Sequence, residues 1–286
     1  MIIPATELLL RSNTLPKMIR DGIEHGIEII LVLDGTPETE ERIFFLGLGA
    51  EKDNIKVVKG VFGAPGLARN AGLSLCTNEW IAFWDCDDYP AAESFIELMS
   101  EGVRNKVQVV IGGFRIIEST SGKLIRNIPN KLSNFAVYPG LWRFVFKREI
   151  IKNLEFPRIR IGEDLDFLSQ VLAKNPMIQL SNIVVYTYVV RSKMQLTSTV
   201  QKNEIKNSLR VIHEHMCILN LINVNSKAKQ MLVLLLFRVR TSLFKYSNKH
   251  EKAQWIRMCV DRAIISSLGL KLFFSTFLNI ALNSRR

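Results

Sequence analysis

Three carboxylates stand close together directly after a strongly apolar stretch of the chain. The run from Trp80 to Trp84 has no polar break, as expected of a strand buried on both faces, and Asp85, Asp87 and Asp88 follow it. Like charges this close repel one another unless something offsets them. Mg²⁺ or Mn²⁺ held between carboxylates and the phosphates of a ligand would do so. The alternative interpretation is an acidic turn that caps the next helix.

The segments that lead up to these acids alternate between strands and helices. Strands are predicted at residues 2–4, 28–33, 55–59 and 80–84, with helices at 14–25 and 67–76 and an acidic helix start at 38–41. Such alternation indicates βαβ units, in which the ends of the strands form a ligand-binding edge. The sequence therefore predicts an α/β fold with a mixed, mostly parallel sheet flanked by helices.

The pattern changes after Asp88. A helix is predicted at residues 91–106, strands at 107–112, 144–146 and 184–190, and an amphipathic helix that begins with Gly162-Glu163-Asp164. From about Asn203 onward the pattern is helical. These elements divide the chain into an α/β domain, residues 1–200, and an all-helical C-terminal extension, residues 201–286.

The excess of positive charge lies entirely in that extension. The chain has 38 Lys and Arg against 27 Asp and Glu, a net charge of +11. Residues 201–286 contain 15 basic and 4 acidic side chains, so residues 1–200 are neutral overall. Such an asymmetry predicts that the two regions have different partners.

The last predicted helix, residues 263–283, is apolar except for one narrow polar stripe. Beside so many basic residues, this pattern favours an interfacial anchor on an anionic membrane surface. A buried helical bundle or a homodimer interface would explain the same pattern. Nucleic-acid binding is not expected, because the basic residues accompany no known reader motif.

The spacing of the four cysteines indicates the redox state of the compartment in which the protein functions. Cys76, Cys86, Cys217 and Cys259 are scattered and form no Cys-x-x-Cys pair, which favours a reducing environment over a disulfide framework or a zinc site. Met-Ile-Ile-Pro at the start lacks the basic and apolar regions of a signal peptide. We therefore expect a cytoplasmic protein, with peripheral attachment to the inner face of the cell membrane if the extension is an anchor.

Several motifs occur in the order found in one enzyme family. They are Ile-Ile-Pro at 2–4, Asp-Gly-Thr at 34–36, Gly-Leu-Ala-Arg-Asn-Ala-Gly at 66–72, Asp-x-Asp-Asp at 85–88, Gly-Glu-Asp at 162–164, and Tyr-x-Tyr followed by Arg191 and Ser198. Together they resemble the inverting glycosyltransferases of family 2, which have the GT-A fold. The resemblance spans roughly residues 1–200 and implies transfer of a sugar from a nucleotide donor.

The resemblance implies roles for individual side chains. Asp34 would hydrogen-bond the base, Arg69 would lie beside the base and the acids, and Asp85 would be a supporting charge. Asp87 would lie near the ribose and the metal, and Asp88 would bind the metal, Mn²⁺ or Mg²⁺. The full set assigned to the donor is Pro4, Asp34, Arg69, Asp85, Asp87 and Arg191, with Asp88 and Asp87 as metal ligands.

An inverting transfer also requires a base for the acceptor hydroxyl. Asp164 is the residue we assign, because the first turn of a helix keeps a carboxylate ionised. Glu163 and Asp166 could share or exchange this role, and any of these acids could simply stabilise the start of a helix. Trp142 could stack on a sugar, although a core position is at least as consistent with its type.

The implied function is a metal-dependent, inverting transfer from a nucleotide sugar, with a UDP-sugar as the expected donor. The acceptor would be a hydroxyl of a glycan or a lipid-linked molecule in cell-surface polysaccharide synthesis. Two alternatives remain open at this point. One is a nucleotidyltransferase, although residues 2–7 lack its glycine-rich basic loop; the other is a catalytically silent, membrane-associated scaffold of an envelope-assembly complex.

Overall fold

The computed structural model describes residues 1–6, 10, 14–191, 200–219, 226–259 and 276. The first part of the fold is a three-stranded parallel sheet in the order β1-β2-β3. Its elements are β1 (Ile2–Thr6), α1 (Thr14–Glu24), β2 (Ile29–Asp34), α2 (Glu38–Leu48), β3 (Ile55–Gly60) and α3 (Pro65–Leu73). The predicted alternation of strands and helices is confirmed here.

The second part is a mixed sheet in the order β4-β8-β6-β9-β5, with β7 beside β6. The β6–β9 pair is parallel and its other pairs are antiparallel. The strands are β4 (Trp80–Ile81), β5 (Tyr89–Pro90), β6 (Val109–Glu118), β7 (Leu124–Ile128), β8 (Phe144–Lys147) and β9 (Ile178–Val190). The helices are α4 (Ala92–Arg104), α5 (Leu132–Phe135), α6 (Arg148–Ile151) and α7 (Glu163–Ala173).

The apolar run before the three acids joins the two sheets. Regular strand β4 is shorter than the predicted residues 80–84, but the chain stays extended and Phe83 pairs with Ile2 in a parallel bridge. The Ile2 N–H donates to the Ala82 carbonyl at 3.0 Å, and the Trp84 N–H donates to the Ile2 carbonyl at 3.0 Å. Residues 82–84 are buried. The segment that carries the acids therefore begins where the two sheets meet, beside β1.

The described part of the C-terminal extension packs on the α/β domain. It comprises α8 (Lys202–Ile218), α9 (Ser226–Tyr246) and α10 (Lys249–Cys259). Ile212 of α8 and Leu234 of α9 are fully buried and belong to the same hydrophobic core as Phe167 of α7. The division near residue 200 stays a prediction. None of the helices among the described residues combines the length and the apolar character needed to cross a membrane. The predicted helix at 263–283 lies outside the described residues.

Candidate active site

Arg69 lies at the centre of an acidic cluster. Its buried guanidinium donates to Glu163 Oε1 at 2.8 Å, to Asp164 Oδ1 at 3.2 Å and to Asp85 Oδ1 at 2.9 Å. The planar fork of an arginine suits such multiple pairing better than a lysine would. One cation on α3 thus connects the acids after β4 with the acids that begin α7. The structure brings these predicted site residues together.

Two glycines allow α3 to carry Arg69 this close. A Cβ on Gly72 would lie 2.6 Å from Ile2 of β1, and a Cβ on Gly66 would lie 3.3 Å from the Glu163 side chain. A larger residue at either position would push the helix away from the sheet or from α7. The glycines of this motif therefore set the distance between the arginine and its carboxylates.

Asp164 has the environment of a carboxylate that exchanges a proton near neutral pH. Burial raises its pKa to about 7; Arg69 opposes this change, whereas Glu163 and Asp85 add to it. The backbone N–H of Leu141 donates to the second oxygen, Oδ2, at 3.3 Å. Such a group suits general base catalysis, because its pKa lies close to the working pH.

Asp166, the third acid in the first turn of α7, is not brought to this cluster. It is two residues from Asp164, which on an α-helix is a rotation of roughly 200°. Its side chain is 1% exposed, and its two oxygens lie 2.8 Å from His215 Nδ1 and 2.8 Å from Gln170 Nε2. The geometry therefore does not support an exchange of roles between Asp166 and Asp164.

The acids of the 85–88 segment point in different directions. Asp87 Oδ2 lies 2.9 Å from Arg191 Nη1, and its side chain is 33% exposed. Asp88 is 2% exposed, and its Oδ1 accepts the Val189 N–H of β9 at 2.9 Å. Burial, followed by the charges of Asp87 and Asp85, raises the pKa of Asp88 to about 8. Negative charge in this turn is thus incompletely offset by the protein.

The carboxylate oxygens of this turn suit a divalent cation. Mg²⁺ and Mn²⁺ are commonly bound by one or two carboxylates together with substrate phosphates, and Asp87 offers an accessible carboxylate in a turn with excess negative charge. The buried position of Asp88 favours a supporting role behind that ligand. Within the described ranges, no group of three or more His, Cys, Asp and Glu side chains is arranged to hold a metal ion by itself. Phosphate oxygens would have to complete the site.

Asp34 lies at the carboxyl end of β2, as predicted. Its carboxylate accepts the backbone N–H of Phe62 at 2.6 Å and that of Gly63 at 3.1 Å, and so holds the loop after β3. Pro4 pairs with Val32 inside the parallel sheet. An open cavity of about 410 Å³ lies at this edge, lined by residues that include Leu33, Gly35, Thr36, Pro37, Lys59 and Val61. The predicted base-binding acid therefore borders a concave surface.

Trp142 lies in an aromatic stack. Its ring is 4.5 Å from Tyr186 and 5.9 Å from Tyr188, and the residue is 8% exposed. These contacts favour the core interpretation over stacking on a sugar. The Tyr186 hydroxyl in turn accepts the backbone N–H of Asp85 at 3.2 Å, so the stack also fixes the acidic segment.

Arg143 was not singled out in the sequence, although it supports the loop beside Asp164. It is fully buried, donates to the Tyr138 carbonyl at 2.8 Å and lies between the rings of Phe114 and Phe144. Burial lowers its pKa to about 9. Its only signal in the sequence is a basic residue inside an otherwise apolar run.

We expect Arg143→Ala to lower the free energy of unfolding by about 3 kcal/mol, because it empties a packed, fully buried site and removes the hydrogen bond to the Tyr138 carbonyl. Urea denaturation followed by circular dichroism measures this difference. Arg148→Ala, at an exposed position five residues further on, is the matched control and should change stability by less than about 0.5 kcal/mol. Equal losses in the two variants would contradict the structural role of Arg143.

Comparison with known proteins agrees with this geometry. Residues 2–162 match the model of the family described as "Glycosyl transferase family 2". The uncharacterized glycosyltransferase EpsJ of Bacillus subtilis is 27% identical over an alignment of 182 residues, and the match covers 57% of this chain and 52% of EpsJ. The minor teichoic acid biosynthesis protein GgaB of the same organism is 25% identical over 231 residues, 75% of this chain and 25% of GgaB. The chain thus spans about half of one relative and a quarter of the other.

Solved structures share the fold. Staphylococcus aureus TarS 1–349 in complex with UDP-GlcNAc superposes with a TM-score of 0.68 and 18% identity, over 99% of this chain and 86% of that one. The mannosyltransferase PcManGT of Pyrobaculum calidifontis, in complex with GDP-Man and Mn²⁺, gives a TM-score of 0.52 and 12% identity, over 97% of this chain and 85% of that one. At these identities the likeness bears on the fold, and it confirms the predicted GT-A architecture with C-terminal helices.

Proposed function

Since this chain belongs to glycosyl transferase family 2, we propose that it transfers a sugar from a UDP-sugar donor to a hydroxyl group with inversion at the anomeric carbon. The observation that carries the proposal is the Arg69 cluster. In this cluster a single guanidinium donates hydrogen bonds to both Asp85 and Asp164. Asp85 is expected to lie beside the metal and the diphosphate, and Asp164 is the expected base. A base on the opposite side from the leaving group is the requirement of a single displacement.

In this mechanism, Asp164 accepts the proton of the acceptor hydroxyl as its oxygen attacks the anomeric carbon. The bond between that carbon and the diphosphate oxygen breaks, and the nucleoside diphosphate leaves with the electron pair. Arg69 and the Leu141 N–H each hold one oxygen of Asp164 and so fix the direction of the base. Glu163 is the alternative base, but its Oε1 is bound to Arg69 and the residue is 8% exposed.

At the donor end, the cation that we assign to Asp87, with Asp88 behind it, would stabilise the charge that develops on the leaving diphosphate. Arg191, which already contacts Asp87, would contribute a further positive charge beside the phosphates. Asp34 borders the proposed base-binding edge, and Pro4 lies behind it in the sheet, paired with Val32. Asp85, bound to Arg69, would orient the acidic segment.

Relatives support the choice of donor and suggest the kind of acceptor. A TarS structure contains UDP-GlcNAc, and GgaB is named for minor teichoic acid biosynthesis. We therefore place this chain in cell-surface polysaccharide synthesis, with a glycan or lipid-linked acceptor, on the cytoplasmic side of the membrane. The basic residues of 201–286 would favour an anionic membrane surface. A homodimer interface remains the alternative use of that region.

A donor screen tests this proposal. The full chain is incubated with Mn²⁺ and a panel of UDP- and GDP-sugars, and both thermal stability and release of nucleoside diphosphate are measured. The proposed donor should raise the melting temperature, because a ligand that binds only the folded state stabilises it. A UDP-sugar should also be hydrolysed slowly without acceptor. If no nucleotide sugar binds or is hydrolysed, the silent scaffold is the better interpretation; family membership already disfavours the nucleotidyltransferase.

The raised pKa of Asp164 predicts a pH dependence of transfer. The base must be ionised, and a carboxyl with a pKa of about 7 is only about one-tenth ionised one pH unit below it. The single-turnover rate should therefore rise about tenfold per pH unit below pH 7 and level off above pH 8. Donor binding, measured separately over the same range, controls for effects on the metal site. A rate that is constant from pH 5.5 to 8 would contradict this assignment.

A further inference from the structure

Helix α8 of the C-terminal extension contacts the first turn of the helix that carries the proposed base. His215 Nδ1 lies 2.8 Å from Asp166 Oδ1, and Gln170 Nε2 lies 2.8 Å from Asp166 Oδ2. When Asp166 is ionised it can only accept hydrogen bonds, and His215 then donates through an Nδ1–H. Asp166 is 1% exposed, whereas His215 is half-exposed. Asp166, a buried carboxylate of α7, is thus bound by a residue of the C-terminal extension as well as by a residue of its own helix.

Helix α8 also packs against Gly162, two residues before Asp164. Gly162 has φ +83°, a left-handed conformation that favours glycine, and α7 begins at the next residue. A Cβ on Gly162 would lie 2.7 Å from Ile212 Cδ1, and Ile212 is fully buried. Helix α8 therefore packs directly on the backbone that sets the direction of Asp164.

The residue before α7 is Gly162, which has no side chain to cap the first turn, so contacts from other elements help to hold that turn. On the cleft side, Arg69 binds Glu163 and Asp164. On the opposite side, His215 binds Asp166. The first turn is consequently held from two directions, and only one of the two anchors belongs to the proposed site itself.

We propose that His215 is a positioning residue for the transfer reaction: through Asp166, it fixes the first turn of α7 so that Asp164 faces the acceptor. This inference rests on the proposed function, since it assigns the base to Asp164. It also gives α8 a part in catalysis in addition to any binding of membrane or partner by the extension. His215 itself does not touch the reacting groups, because Asp166 lies on the other face of the helix from Asp164.

The test compares His215→Ala with His215→Asn. Alanine removes the donor, whereas the amide Nδ2–H of asparagine can replace the Nδ1–H of histidine. We expect His215→Ala to lower kcat about tenfold with the KM for the donor within about twofold, because small displacements of a reacting group are costly. His215→Asn should restore most of the loss. Glu214→Gln, an exposed neighbour on α8, is the matched control and should leave kcat unchanged.

A second measurement does not depend on activity. Hydrogen exchange at the backbone amides of Leu165 and Asp166, which both donate to the Gly162 carbonyl, should be about tenfold faster in His215→Ala than in the wild type, and close to wild type in His215→Asn. If the wild type transfers no sugar, the proposed function fails, but this measurement still decides whether His215 fixes the first turn of α7. Unchanged exchange in His215→Ala overturns the inference. So does a loss of kcat that is explained by the unfolded fraction alone.

Discussion

Asp164→Asn is expected to reduce the turnover of sugar transfer by roughly a thousandfold or more, which is the range that general bases contribute. Asparagine has nearly the same size and can still accept from Arg69, but it cannot take a proton. The affinity for the donor should change little, because Asp164 belongs to the acceptor side of the cluster. Release of UDP measures turnover, and calorimetry with UDP and Mn²⁺ measures binding.

Glu163→Gln is the matched control for this variant. Glu163 precedes Asp164, pairs with the same guanidinium at 2.8 Å and is more buried, with 11% of its side chain exposed against 22% for Asp164. Its amide variant should lose at most about tenfold, since it disturbs Arg69 without removing the base. If Glu163→Gln loses more turnover than Asp164→Asn, the two assignments must be exchanged. If both retain normal turnover, the base lies elsewhere in the cleft.

Much of the site was predictable because the carboxyl ends of neighbouring strands meet at one edge of a sheet. Asp34 ends β2, and Asp85 follows the segment that pairs with β1, so sequence order alone brings them to the same edge. The acidic start of α7 was equally visible, since an amphipathic pattern follows it directly. The fold class needed only the alternation of strands and helices in the first 84 residues.

Other features depended on contacts that a sequence pattern does not contain. The spacing of Asp85, Asp87 and Asp88 does not reveal which carboxylate turns inward, because the direction is decided by the Val189 N–H, about 100 residues later. The bond between Asp166 and His215 spans 49 residues. A strand such as β8 also has the same apolar pattern whether it pairs in parallel or antiparallel, so its direction in the sheet could not be predicted. Ser198, which was part of the resemblance, lies outside the described residues.

Asp87→Asn should weaken metal binding far more than Asp88→Asn. Asp87 has an accessible carboxylate, so its amide variant is expected to lower turnover at least about a hundredfold and to weaken binding of Mn²⁺ in the presence of UDP. Asparagine at position 88 can still accept the Val189 N–H through its own oxygen, and it replaces a buried carboxyl group whose pKa is already raised to about 8. Asp88→Asn should therefore retain most of the Mn²⁺ affinity.

Electron paramagnetic resonance of Mn²⁺ with UDP, at fixed pH, distinguishes the two acids without relying on activity. The free-ion signal should persist for Asp87→Asn and decrease on binding for Asp88→Asn, as for the wild type. The reverse result would restore Asp88 as the direct ligand and would mean that donor binding draws it away from β9. Loss of binding in both variants would indicate that the turn supplies two carboxylates together, which the remaining diphosphate oxygens would complete to an octahedral site.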